Sequence, residues 1–165
     1  MPITLITVPR SEAKNPPGLA ELWIAPASSV ATIGAPTAMD VSTITMVATE
    51  VFVELQVDPE ASAMLTTEQP ESEGGTGHVY TLDVLAVGNS SGLKNAIDTF
   101  DGVPLIIIGK TKDGIMEIYG EEKRGFRLRA KKEDATKPGN ARGYRLTGSM
   151  DFDHLPYEFS GTIPV

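Results

Sequence analysis

A chain of 165 residues with 41% apolar and 22% charged side chains is long enough for one globular domain with its own core, and is unlike a disordered chain. It has no cysteine, which excludes disulfide staples, zinc–thiolate sites and a cysteine nucleophile. No apolar run approaches the ~18 residues needed to span a bilayer, so no membrane contact is expected.

The net charge of −8 is unevenly spread. Residues 1–109 carry thirteen acids against three bases, whereas 123–145 carries nine bases against Glu133 and Asp134. A basic segment on an acidic chain suits nucleic-acid contact or the joining of one copy's basic face to another's acidic face. Overall acidity repels a polyanion at long range and favours the second. A solvated strand face with scattered ion pairs is the plain alternative.

In chain order, Met1–Arg10 lacks a basic stretch leading into an apolar one, so no signal peptide is expected and folding in a cytoplasm is. Pro2–Val8 alternates as a strand on Ile3 and Leu5. Asn15–Asp40 is rich in Pro, Gly, Ala and Ser and reads as a long loop that orders against a neighbour. One short piece of it, Leu22-Trp23-Ile24, is able to pair as a strand. Ser42–Val47 and Glu50–Val57 are dense in β-branched residues. Val51, Val53, Leu55 and Val57 share one face, which seeks a core. Glu50, Glu54, Gln56 and Asp58, with Phe52 among them, form the wet face. Ala61–Thr67 reads as a further strand, 68–77 as an acidic, glycine-rich loop, and His78–Val87 alternates again.

The spacing predicts one helix over about residues 90–101. Asn89, Ser90 and Ser91 offer caps, Leu93, Ala96, Ile97 and Phe100 make an apolar stripe, and Gly102 then Pro104 end it. Leu105–Ile108 and Ile115–Tyr119 flank Asp113-Gly114, a hairpin signal. Lys123–Ala130 and Arg142–Phe152 read as two strands around a loop with Pro138-Gly139-Asn140. Their shared pattern, Arg124-Gly125-Phe126-Arg127-Leu128 and Arg142-Gly143-Tyr144-Arg145-Leu146, marks neighbouring strands. The whole is a single domain, mainly β: an antiparallel β-sandwich or split barrel with one short helix and a long N-terminal loop segment.

No motif for catalysis or a cofactor accompanies this pattern, and the chain is expected to be no enzyme and to hold no cofactor or metal. Gly74-Gly75-Thr76-Gly77 leads into a strand, whereas a phosphate cradle needs a helix start. No His-Glu-x-x-His pair is present. Asp151, Asp153 and His154 crowd four positions, but strand alternation puts the two acids on one face and the histidine on the other, so a surface turn is expected. Lys123-Arg124-Gly125-Phe126 opens like an RNA-recognition strand, then fails at Arg127 and Leu128.

Residues 78–165 run strand, helix ending in Asp101-Gly102-Val103-Pro104, apolar hairpin to Tyr119-Gly120, glycine-aromatic strand, Gly143-Tyr144-Arg145-Leu146-Thr147-Gly148, and Pro156-Tyr157. In this order the chain resembles structural proteins of bacteriophage tails, the tail tube family foremost. The first 77 residues depart from a minimal tube protein in their Pro/Ala segment. The resemblance implies stacked, homohexameric rings around a lumen that conducts DNA without binding it, alongside other tail proteins, in a virion assembled in the host cytoplasm. A tail terminator, adaptor or tail-tip module, or a nucleic-acid-binding domain, is the alternative. Glu50, Glu54 and Asp58 are the candidate lumen residues. Lys123, Arg124, Arg127, Arg129 and Arg145 are the candidate bases of an inter-subunit contact.

Overall fold

The computed structural model describes residues 18–68, 77–133 and 142–165. The expected strand at Pro2–Val8, the loop with Pro138-Gly139-Asn140, and the parts of the two expected loops at 15–17 and 69–76 lie outside these residues.

Leu105–Ile108 explains the architecture. All four side chains are fully buried, which a strand achieves only when both faces of its sheet are covered. This strand, β8 (Pro104–Thr111), lies inside a seven-stranded sheet. On one flank it pairs with β1 (Leu19–Pro26), which pairs in turn with the short edge strand β5 (Val53–Leu55). On the other flank it pairs with β9 (Met116–Tyr119) and β10 (Phe126–Arg127). Beyond β9 come β13 (Tyr157–Phe159) and β3 (Asp40–Val41), the one parallel pair among the described strands.

A second sheet has the order β11 (Arg129–Glu133), β12 (Gly143–Phe152), β7 (His78–Val87), β6 (Ala63–Glu68), all antiparallel. It packs on one face of the large sheet, with α1 (Ser91–Phe100) closing the gap. Leu22, Ile24, Leu105 and Ile107 meet Tyr80, Leu82, Val84, Leu146 and Phe152 in this first core. The alternate residues Trp23, Ala25, Ile106 and Ile108 point into a second core. That core lies under the hairpin of β2 (Val30–Ile33) and β4 (Ile44–Met46) and includes Phe52 and Phe159. The fold is thus mainly β with one helix, a sandwich carrying a further small layer.

The helix stands where the spacing put it. Ser90 Oγ accepts from Leu93 N, Ile97 and Phe100 are buried, and Gly102 takes φ +71°. The Asp113-Gly114 turn closes the β8–β9 hairpin, with Gly114 at φ +92°.

Three expectations are corrected. The long loop at 15–40 contains β1, whose Leu22-Trp23-Ile24-Ala25 are buried on both faces. The Leu22-Trp23-Ile24 piece pairs as a strand as expected, within a longer strand that Pro26 ends. Glu50–Val57 keeps its expected faces only in part: Leu55 and Val57 are buried in the first core, but the alternation breaks at Val53–Glu54. Phe52 is 2% exposed in the second core, while Val51 and Val53 are 46% and 38% exposed, because β5 is an edge strand of a sheet with a core on each side. Lys123–Ala130 is not one strand. A side chain on Gly125 would collide with the Leu105 backbone (Cβ to Leu105 N 2.5 Å). The chain then turns at buried Leu128 from β10 in the large sheet to β11 in the small one.

Candidate functional site

The small sheet offers two features to a partner: an outward face and two edges with no further strand paired to them among the described residues. Along β7 and β12 the even-numbered residues face the first core, so Thr81, Asp83, Arg145, Thr147, Ser149 and Asp151 look outward. Arg145 organises this face. Its Nε donates to Glu133 and its Nη1 to Asp83, each at 2.8 Å, and these carboxylates hold the guanidinium proton more tightly than usual. Arg129 and Lys131 of β11 lie on the same face as Arg145, by their register with Thr147 and Arg145.

Three of the five candidate inter-subunit bases are engaged within the chain. Arg145 has its two carboxylates. Arg124 donates to the Asp151 carbonyl at 2.8 Å and lies over the Phe152 ring, 5.5 Å from its centroid. Arg127 donates to the Gly102 carbonyl at 2.9 Å, tying β10 to the end of α1. Lys123 and Arg129 are exposed and make no ion pair among the described residues.

Of the candidate lumen residues, Glu50 and Glu54 follow an edge of the large sheet, and Asp58 lies beside β7 of the small one. Glu50 precedes β5 and accepts from Ser29 Oγ at 3.2 Å. Glu54 is exposed on β5 opposite Trp23. Asp58 follows β5 where the chain reaches the small sheet, its N–H donating to the Leu85 carbonyl and its Oδ1 accepting from Glu60 N at 3.0 Å. Buried Phe52 interrupts the row.

A groove opens where β9 leaves the large sheet. Ile33, Pro36, Val41 and Ile118 form its apolar floor, and Glu121, Glu122, Lys123, Asp153, His154 and Tyr157 its polar rim. Glu122 closes one side by accepting from Ile33 N at 2.8 Å. His154 stacks on Tyr157 with ring centroids 4.3 Å apart. Its carbonyl accepts from the hydroxyl of buried Tyr80, a phenol that burial pushes above its usual range. The expected strand alternation at Asp151–His154 does not hold, because β12 ends at Phe152 and the chain bends at Asp153. His154 therefore lies beside Asp153 and Glu121, while Asp151 stays on the sheet's outer face. Glu121 was invisible to local sequence reading because it is 33 residues from His154 and only the β9–β10 turn brings it there.

Among known proteins, no family model, curated sequence or solved structure matches this chain.

Proposed function

We propose that this is a structural protein whose copies join edge to edge into a ring, as the subunit of a bacteriophage tail tube or a related tail component. The observation that carries the reading is the small sheet. It has four strands of alternating direction, so β11 and β6 run opposite ways and neither outer edge is paired among the described residues. When a cyclic rotation places one copy beside the next, β11 of the first meets β6 of the second in antiparallel sense, and closure removes both edges.

Charge supports the same pairing. β11 brings Arg129 and Lys131 to its edge, while Asp58 and Glu60 immediately precede β6. The outward face would then line the ring. Arg129, Lys131 and Arg145 balance Asp83, Glu133 and Asp151 there, so the lining neither grips nor strongly repels phosphate. In this arrangement Glu50 and Glu54 belong to a subunit edge, Asp58 borders the outer row beside Leu85, and the lumen passes to the outer row of β7 and β12.

Negative-stain microscopy of concentrated protein, with mass by light scattering, tests the reading. Rings or stacked tubes with a central hole are expected, and Arg129→Glu with Lys131→Glu should abolish them while leaving the folded monomer. A wild-type monomer at every concentration overturns ring formation and points to an adaptor that pairs with a different protein.

A further inference from the structure

At the rim of the groove three ligand-type side chains from two separate turns converge. Glu121 Oε1 lies 3.4 Å and Asp153 Oδ1 3.9 Å from His154 Nε2, and the three donor atoms all lie within 4.8 Å of one another. Both turns are held independently of this meeting. Tyr80 pins the His154 backbone from the core, and Glu121 and Arg124 exchange two backbone hydrogen bonds of 2.7 and 3.0 Å. Arg124, the guanidinium of the same turn, is committed to the Asp151 carbonyl and the Phe152 ring.

The protonation of the histidine decides what these atoms can do. Its Nδ1 is 2.7 Å from the Leu155 carbonyl oxygen, which only accepts, so Nδ1 carries the ring proton. In the neutral imidazole Nε2 is then a lone pair, and it faces two carboxylate oxygens that also have only lone pairs to offer. A positive charge between these atoms, a proton on Nε2 or a metal ion, matches the arrangement. A histidine whose Nδ1–H is fixed by a carbonyl and whose Nε2 faces carboxylates is oriented as a metal ligand is. The spacing agrees: bonds of about 2.0–2.1 Å at tetrahedral angles separate zinc ligands by about 3.3–3.4 Å. The His154–Glu121 distance has that value already, and the exposed Asp153 side chain can close its remaining gap by rotation.

We propose that His154 Nε2 with one carboxylate oxygen each from Glu121 and Asp153 binds a divalent cation of the zinc class, leaving a position for water on the groove side. Bound there, the ion clasps the β9–β10 turn to the segment after β12. This site does not depend on ring formation.

The test is titration of chelator-stripped, full-length protein with ZnCl2, read by imidazole 15N shifts. The chain has two histidines, and His78→Gln identifies the signals. Expected is a saturable shift of His154 Nε2 at one equivalent, with Nδ1 still protonated. A rise in Tm should accompany it, persist in His78→Gln and vanish in Glu121→Gln and His154→Gln. No saturable shift at millimolar ZnCl2 overturns the proposal, as does undiminished binding by the Glu121→Gln and His154→Gln variants. An imidazolium at His154 that persists at neutral pH and resists zinc also overturns it, since the cation between these groups is then a proton.

Discussion

Ala38 and Met39 stand at φ +50° and +70°, in the left-handed region that L side chains disfavour, and both are exposed. Thr37 and Asp40 exchange two backbone hydrogen bonds around them, 2.9 and 3.0 Å long, which makes the pair a two-residue hairpin turn. Asn-Gly is the natural occupant of such a turn, because both positions need positive φ. Replacing Ala38-Met39 by Asn-Gly should therefore stabilise the protein by about 1 kcal/mol. Thermal unfolding should show a Tm higher by roughly 2–4 °C. An unchanged or lower Tm would mean that the turn is unstrained. Nothing in the local sequence announced this turn, since Ala and Met are poor markers for it, whereas Asp113-Gly114 advertised its own. Arg145 shows a related limit. Its place on an exposed strand face was legible, but Asp83 is 62 residues away and only the β7–β12 register brings it within reach.

At the scale of elements, the recurring glycine-aromatic pattern has a packing cause. Phe126 is fully buried in the first core and Tyr144 packs partly against it, while Leu128 and Leu146 lie within it. Each preceding glycine sits where backbone passes too close for a side chain. A Cβ on Gly125 would approach Leu105 N to 2.5 Å, and one on Gly143 would approach the Ala86 carbonyl oxygen to 1.9 Å. Gly143→Ala should force β12 away from β7 and destabilise by about 2–4 kcal/mol. Gly92→Ala at the exposed start of α1, where the nearest atom is 4.0 Å away, should change stability by no more than ~0.5 kcal/mol. Urea denaturation of the two variants measures the contrast, and equal midpoints would refute it. Elements with clean periodicity and caps, β7, β12, α1 and the β8–β9 hairpin, were legible because local pattern and tertiary burial agree there. The interior strand β1 was legible only in its Leu22-Trp23-Ile24 centre, because a strand buried on both faces loses its alternation and prolines at both ends disguise the rest.

For the whole molecule, the decisive fact is that one sheet serves two cores. Sequence patterning implied a single core face opposite a wet one, which fits the small sheet and fails for the large. Glu50 and Glu54 are exposed, but buried Phe52 interrupts their row, whereas the outer row of β7 and β12 is continuous. Because β8 is hydrogen-bonded on both flanks and covered on both faces, its amides at 105–109 should exchange with solvent only through global unfolding. The β2–β4 hairpin, paired only with itself among the described strands, should open at lower free energy. Native-state hydrogen exchange ranks the two, and β8 amides exchanging as fast as the hairpin would contradict the layered arrangement. The turn at Leu128 has a mechanical consequence as well. The residue on its N-terminal side, Arg127, is the last of β10, bonded to β8, and the residue on its C-terminal side, Arg129, is the first of β11. Tension applied at the β11 edge is therefore transmitted along covalent backbone to the most deeply buried strand, so the two layers bear load together instead of peeling apart.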